Sequence, residues 1–67
     1  MKVTIEINCD NAAFGDNPEY EAGRILEEFG GKIRKGYLAF AAYANGLDVV
    51  TLRDINGNTV GAMKVTL

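Results

Sequence analysis

The stretch Asp48-Val49-Val50-Thr51-Leu52-Arg53-Asp54-Ile55-Asn56-Gly57-Asn58-Thr59-Val60-Gly61-Ala62-Met63-Lys64-Val65-Thr66-Leu67 reads as two strands joined by a turn. β-branched residues alternate with others on both sides of Asn56-Gly57, the dipeptide best suited to a two-residue hairpin turn. A two-residue turn there sets Val50 opposite Met63 and Leu52 opposite Gly61 on one side of the sheet. Val49 then faces Lys64, Thr51 faces Ala62 and Arg53 faces Val60 on the other. The first side, with Val65 and Leu67 added, is the expected core face. Gly61 on that face admits a close approach or marks a bulge.

Working upstream, residues 37–44 (Tyr37-Leu38-Ala39-Phe40-Ala41-Ala42-Tyr43-Ala44) are followed by Asn45-Gly46, a second hairpin signal. Alanine favours helix; the aromatic residues, the short length and the flanking glycines favour strand, the preferred reading. Ala39 and Ala41 then lie on the core face opposite Leu52 and Val50. The outer face carries Leu38, Phe40, Ala42, Val49, Val60 and Ala62. Such a patch on an antiparallel sheet marks a contact surface. Leu38, Phe40, Val49 and Val60, with Tyr37 and Tyr43 at the margin, are the candidate partner-binding residues. A helical 37–44, or a one-residue slip, would exchange the faces.

At the other end, Val3, Ile5 and Ile7 alternate with Thr4, Glu6 and Asn8, as in a half-buried strand. Cys9 continues the inward parity and is expected in the core. A turn-rich segment follows, with Phe14 tucked beneath it and Tyr20 packed nearby. Asn17-Pro18-Glu19 suits a helix start, with Asn17 as the cap. Ala22, Ile25, Leu26, Phe29 and Ile33 fall on one helical face. Glu21 with Arg24, and Glu28 with Lys32, are spaced for ion pairs. Gly30-Gly31 weakens this helix, but Ile33 keeps the period and basic residues suit a last turn, so it is expected to reach Lys35 with Gly36 terminating it. The fold expected is α+β, a single domain over residues 1–67 in the order β-α-β-β-β, one helix on a mainly antiparallel sheet.

Composition limits the chemistry. The chain has 67 residues, one cysteine, no histidine and a net charge of −2. Cys/His zinc sites, intramolecular disulfides and His-dependent nucleophiles are excluded. Glu27-Glu28 points in two directions along a helix and reads as a solvated face. Asp10 and Asp16, among Asn8, Asn11 and Asn17, offer hard oxygen ligands without EF-hand spacing; turn formation and capping outweigh a cation site. Lys32, Arg34 and Lys35, near Tyr37 and Tyr43, read as a charge complement to the helix end, and the acidic balance makes nucleic acid a poor default partner. No catalytic residue, cofactor or metal is expected. No apolar run spans a membrane, Met1-Lys2-Val3-Thr4-Ile5 lacks the pattern of a secretory signal, and a lone thiol fits the cytoplasm.

Asp10-Asn11-Ala12-Ala13-Phe14, Asn17-Pro18-Glu19 and Arg24-Ile25-Leu26-Glu27-Glu28, with the closing Leu52-Arg53-Asp54-Ile55-Asn56-Gly57-Asn58-Thr59-Val60-Gly61, resemble small proteins encoded by bacteriophages and related mobile elements. The middle, residues 37–47, departs from them in length and apolarity. The resemblance implies a bacterial host setting and no catalytic residues. Phage proteins of this type often bind and block a host protein, as anti-CRISPR proteins do. The expected function is a non-enzymatic protein-binding module directed at a host defence complex. The alternatives are a self-associating module, dimeric through the outer sheet face, and a small nucleic-acid-binding regulator.

Overall fold

The alternation in residues 2–7 and 59–66 builds two strands that meet directly. In a computed structural model, which describes residues 1–44 and 49–67, β1 (Lys2–Ile7) pairs antiparallel with the last strand, β3 (Thr59–Thr66). β2 (Val50–Arg53) pairs antiparallel with the other side of β3. The described sheet therefore has three strands in the order β1-β3-β2, and the class is α+β. The expected facing pairs Val50–Met63, Thr51–Ala62 and Leu52–Gly61 are present, after which the register shifts and Arg53 faces Thr59. Val60 is the extra residue of a bulge. Val60, expected on the outer face, lines the hollow there with Thr4, Glu6, Asn8 and Ala62, but is only 7% exposed and counts in the core cluster.

The bulge follows from the turn. Asn56-Gly57 does not close a two-residue hairpin; residues 54–58 form a wider loop. Within it Asp54 N–H donates to the Asn58 carbonyl at 2.9 Å and Gly57 N–H to the Asp54 carbonyl at 3.0 Å. Gly57 takes a φ of +85°, a backbone conformation that side chains disfavour.

Helix α1 (Pro18–Arg34) starts on Pro18 and runs through Gly30-Gly31, with Lys35 as its C-cap and Gly36 at φ +81° ending it. Asn17 occupies the cap position, but its side chain makes no capping hydrogen bond; its carbonyl accepts from Tyr20 N–H at 3.2 Å. Ile25 and Phe29 are buried, Ala22 and Ile33 half-buried, and Leu26 is largely exposed. The packed stripe is thus narrower than the apolar periodicity, because one helix covers only part of a three-stranded sheet. The core is Phe14, Ile25, Phe29, Leu52, Val60, Met63 and Val65.

The strand expected over residues 37–44 does not form. Phe40–Tyr43 is a single helical turn, α2, which packs on β3. Alanine at 39, 41, 42 and 44 supplies the helical preference, and Leu38, Phe40 and Tyr43 all turn toward the core cluster. Among the described residues no strand extends the sheet beyond β2, and the pairings of Ala39 and Ala41 with β2 do not form. The hairpin expected at Asn45-Gly46 lies outside the described residues. Cys9 is exposed: β1 ends at Ile7, so strand parity does not carry to it. Leu67, just past the end of β3, is also exposed. Tyr20 points to solvent at 75% exposure and does not pack on the Phe14 loop.

Candidate partner-binding groove

Arg24, Glu28 and Lys32 recur every four residues, which places them on one flank of α1. That flank borders edge strand β2. A groove of about 400 Å³ runs between them, its floor made by Ile25, Phe29 and Leu52 and its far wall by Thr51, Arg53 and Ile55. Short side chains would leave such a groove open to any ligand, but its rim is charged. Arg24, Lys32 and Arg53 stand against Glu28 and the largely buried Asp54. With Glu21 bonded to Arg24 behind it, the rim carries as many carboxylates as cations and is mixed in charge.

Two buried carboxylates hold this geometry. Glu21 lies inside α1 and receives Arg24 through two bonds, Nε to Oε1 at 2.6 Å and Nη2 to Oε2 at 3.0 Å. Its Oε2 also accepts the Ile55 N–H at 2.8 Å, tying the hairpin loop to the helix. Arg24 extends to Glu28 at 3.0 Å, and Lys32 approaches the same carboxylate at 3.8 Å. The bonds from Arg24 hold the Glu21 carboxyl below its ordinary pKa against the opposing effect of burial, and the Ile55 N–H adds to them. Arg24 is correspondingly raised by its bonds to Glu21.

Asp54 organises the loop from within. Its Oδ1 accepts the N–H groups of Asn56 and Asn58, both at 2.9 Å. Its Oδ2 accepts Asn11 Nδ2 at 2.7 Å and Asn58 Nδ2 at 3.3 Å. Burial by itself would raise this carboxyl; the bonds from Asn58, Asn11 and Asn56 outweigh it and hold the pKa below the usual value. A depressed folded-state pKa contributes stability above the unfolded value and loses it as pH falls through the folded value. Asp54→Asn replaces an acceptor by a donor facing donors. Its urea midpoint is expected to fall well below wild type at pH 7, with the gap narrowing toward pH 2. A gap independent of pH would contradict this account of the loop.

Of the six residues predicted to bind a partner, the structure does not make one outer patch. Leu38, Phe40 and Tyr43 pack against the core and Val60 is part of it. Tyr37 (72%) and Val49 (52%) remain exposed. The outer sheet face keeps an apolar hollow at Val49, Val60 and Ala62, bordered by the polar residues Thr4, Glu6, Asn8 and Lys64. The Asn-rich loop performs the turn-forming role: Asn8 Oδ1 accepts Asp10 N–H at 3.0 Å, and Asn11 Oδ1 accepts Ala13 N–H at 2.9 Å. Sequence reasoning found the Arg24 and Lys32 ion pairs but not that they rim a groove. The signal was the charged i, i+4, i+8 series on the flank of a helix beside a short edge strand. Among the described residues no helix is long and apolar enough to cross a membrane. No family model matches the chain, and neither a curated protein nor a solved structure matches it.

Proposed function

We propose that the protein is a non-enzymatic protein-binding module that takes an extended segment of a host protein into the α1–β2 groove. The observation that carries this reading is the groove itself, with an apolar floor and a charged rim that includes Arg24, Lys32 and Arg53, beside β2, the edge strand among the described residues. An extended chain laid along an edge strand gains backbone hydrogen bonds, and flanking pockets select its side chains. Here Ile25, Phe29 and Leu52 would receive an apolar side chain, and the mixed charges of the rim would select polar side chains on either side of it. Thr51, exposed on β2, supplies the neighbouring edge. The likeness to phage-encoded proteins gives the setting: a bacterial cytoplasm, a host defence complex as the target, and inhibition of the anti-CRISPR type as the outcome. A chain without histidine has no His-based acid, base or nucleophile pair, which favours binding over catalysis.

The test uses wild type and a Lys32→Glu/Arg53→Glu variant as paired baits in nuclease-treated bacterial lysate, followed by a defence-interference assay. A host protein held by wild type at low salt and lost on the variant is the expected result, with interference lost in parallel. Equal capture by both baits would overturn the groove as the binding site. Retention seen only when the nuclease is omitted would favour the nucleic-acid reading through Lys32, Arg34, Lys35 and Tyr37.

A further inference from the structure

We propose that two copies of the chain associate by antiparallel pairing of β1 with β1, forming a continuous six-stranded sheet. Among the described residues β1 is the edge strand of the sheet on the side away from the groove. Asn8 N–H donates to the Val60 carbonyl at 2.7 Å. The unbroken register from Ile7–Gly61 to Lys2–Thr66 then directs the backbone groups of Glu6, Thr4 and Lys2 at β3. Those of Val3, Ile5 and Ile7 face outward, because the two sets alternate along an antiparallel pair. Natural edges are blunted by proline, by bulges, by shortness or by charged side chains; the two charges of β1, Lys2 and Glu6, are of opposite sign. β1 has six residues, no proline and no register shift. Its Val3 and Ile5 side chains, on the same face as Met63 and Val65, remain 36% and 39% exposed.

The occupant of this edge is argued from its charge pattern. A two-fold pairing centred on Thr4 places Lys2 of each copy opposite Glu6 of the other. It also places Val3 opposite Ile5 twice, and these odd-numbered residues are the ones whose backbone groups are free to bond. The same-face registers on either side lose the match: centring on Val3 sets Lys2 against Thr4, and centring on Ile5 sets Lys2 against Asn8. One strand is thus complementary to itself in charge, in hydrogen-bond phase and in apolar side chains at a single register. Facing residues of an antiparallel pair share a face, so both α1 helices stand on the same side of the joined sheet. The flank of α1 away from Arg24, Glu28 and Lys32 carries the exposed Leu26, and that flank turns toward the β1 side. Leu26 would then overlook the apolar strip made by Val3 and Ile5 of both copies.

The experiment is charge reversal read by light scattering after size exclusion across a concentration series, with circular dichroism confirming the fold of each variant. Wild type is expected to be dimeric. Lys2→Glu and Glu6→Lys singly each create two like-charged facing pairs and are expected to raise the dimer dissociation constant about tenfold or more. Lys2→Glu/Glu6→Lys together restore both pairs and are expected to return the constant toward wild type. A monomeric wild type at all concentrations, or a dimer unaffected by the single reversals, would overturn the proposal. A single reversal that unfolds the chain is resolved by the double variant, whose failure to dimerise while folded would count equally against it. The groove variant Lys32→Glu/Arg53→Glu is expected to leave the dimer unchanged.

Discussion

Gly61→Ala is expected to be the most damaging small substitution in the chain, removing about 3 kcal/mol or more of stability. A methyl group on Gly61 would run into the Glu6 carbonyl, and would lie 2.9 Å from its carbon and 3.0 Å from Ile7 Cα. Those atoms are backbone of β1 and cannot rotate away. Relief requires β1 to move off β3, which would break the ladder at the strand's inner end. A chain of this size has about 3–10 kcal/mol to lose, so much of the population should unfold. The measurement is a urea titration followed by circular dichroism. Gly30→Ala is the internal contrast, since nothing lies within 4 Å of the added methyl group. It should stabilise the helix by roughly 1 kcal/mol. A Gly61→Ala midpoint close to wild type would mean that the strands do not approach as described.

Phe14→Ala is expected to cost about 3–5 kcal/mol. Phe14 is almost fully buried although it sits in a polar loop. Asn11 sets its position: Phe14 N–H donates to the Asn11 carbonyl at 3.1 Å, and Asn11 Nδ2 reaches Asp54 Oδ2 at 2.7 Å. The ring therefore anchors the β1–α1 connection in the core, while Asn11 fastens it to the hairpin loop. Truncation would leave a cavity that neither rigid strand nor helix can close. Tyr20→Ala is the aromatic contrast at an exposed site, expected within about 0.5 kcal/mol of wild type. Equal losses for the two variants would show that Phe14 does not fill the core.

Local signals were legible where one interaction dominates. The α1 boundaries followed from Pro18, the basic last turn and Gly36. The facing pairs of β2 and β3 up to Leu52–Gly61 followed from the alternation of side chains. Phe14 was readable as the one large apolar residue in a turn. Residues 40–43 were misread because eight apolar positions without period fit either a strand or a buried helical turn, and tertiary packing on β3 decides between them. The outer patch lost three of its residues with that reading, as Leu38, Phe40 and Tyr43 are half-buried against the core instead. The loop at residues 54–58 was hidden for another reason. Asn56-Gly57 signals a tight turn, but the buried Asp54 offers its carboxylate to two later backbone N–H groups and widens it. No pattern in the sequence states that an aspartate will be buried, and the groove, which depends on that loop and on Glu21, was hidden with it.

The strand order carries a consequence for how the chain folds as it is made. β3 is the central strand of the sheet and the last of the described elements to be synthesised. Until it emerges, β1 and β2 lack the strand that each pairs with in the described sheet, since they do not pair with each other. Synthesis from the N-terminus can therefore yield α1 and nothing of the sheet. Assembly is held back to a single late event, in which two waiting strands close on either side of one newly completed strand.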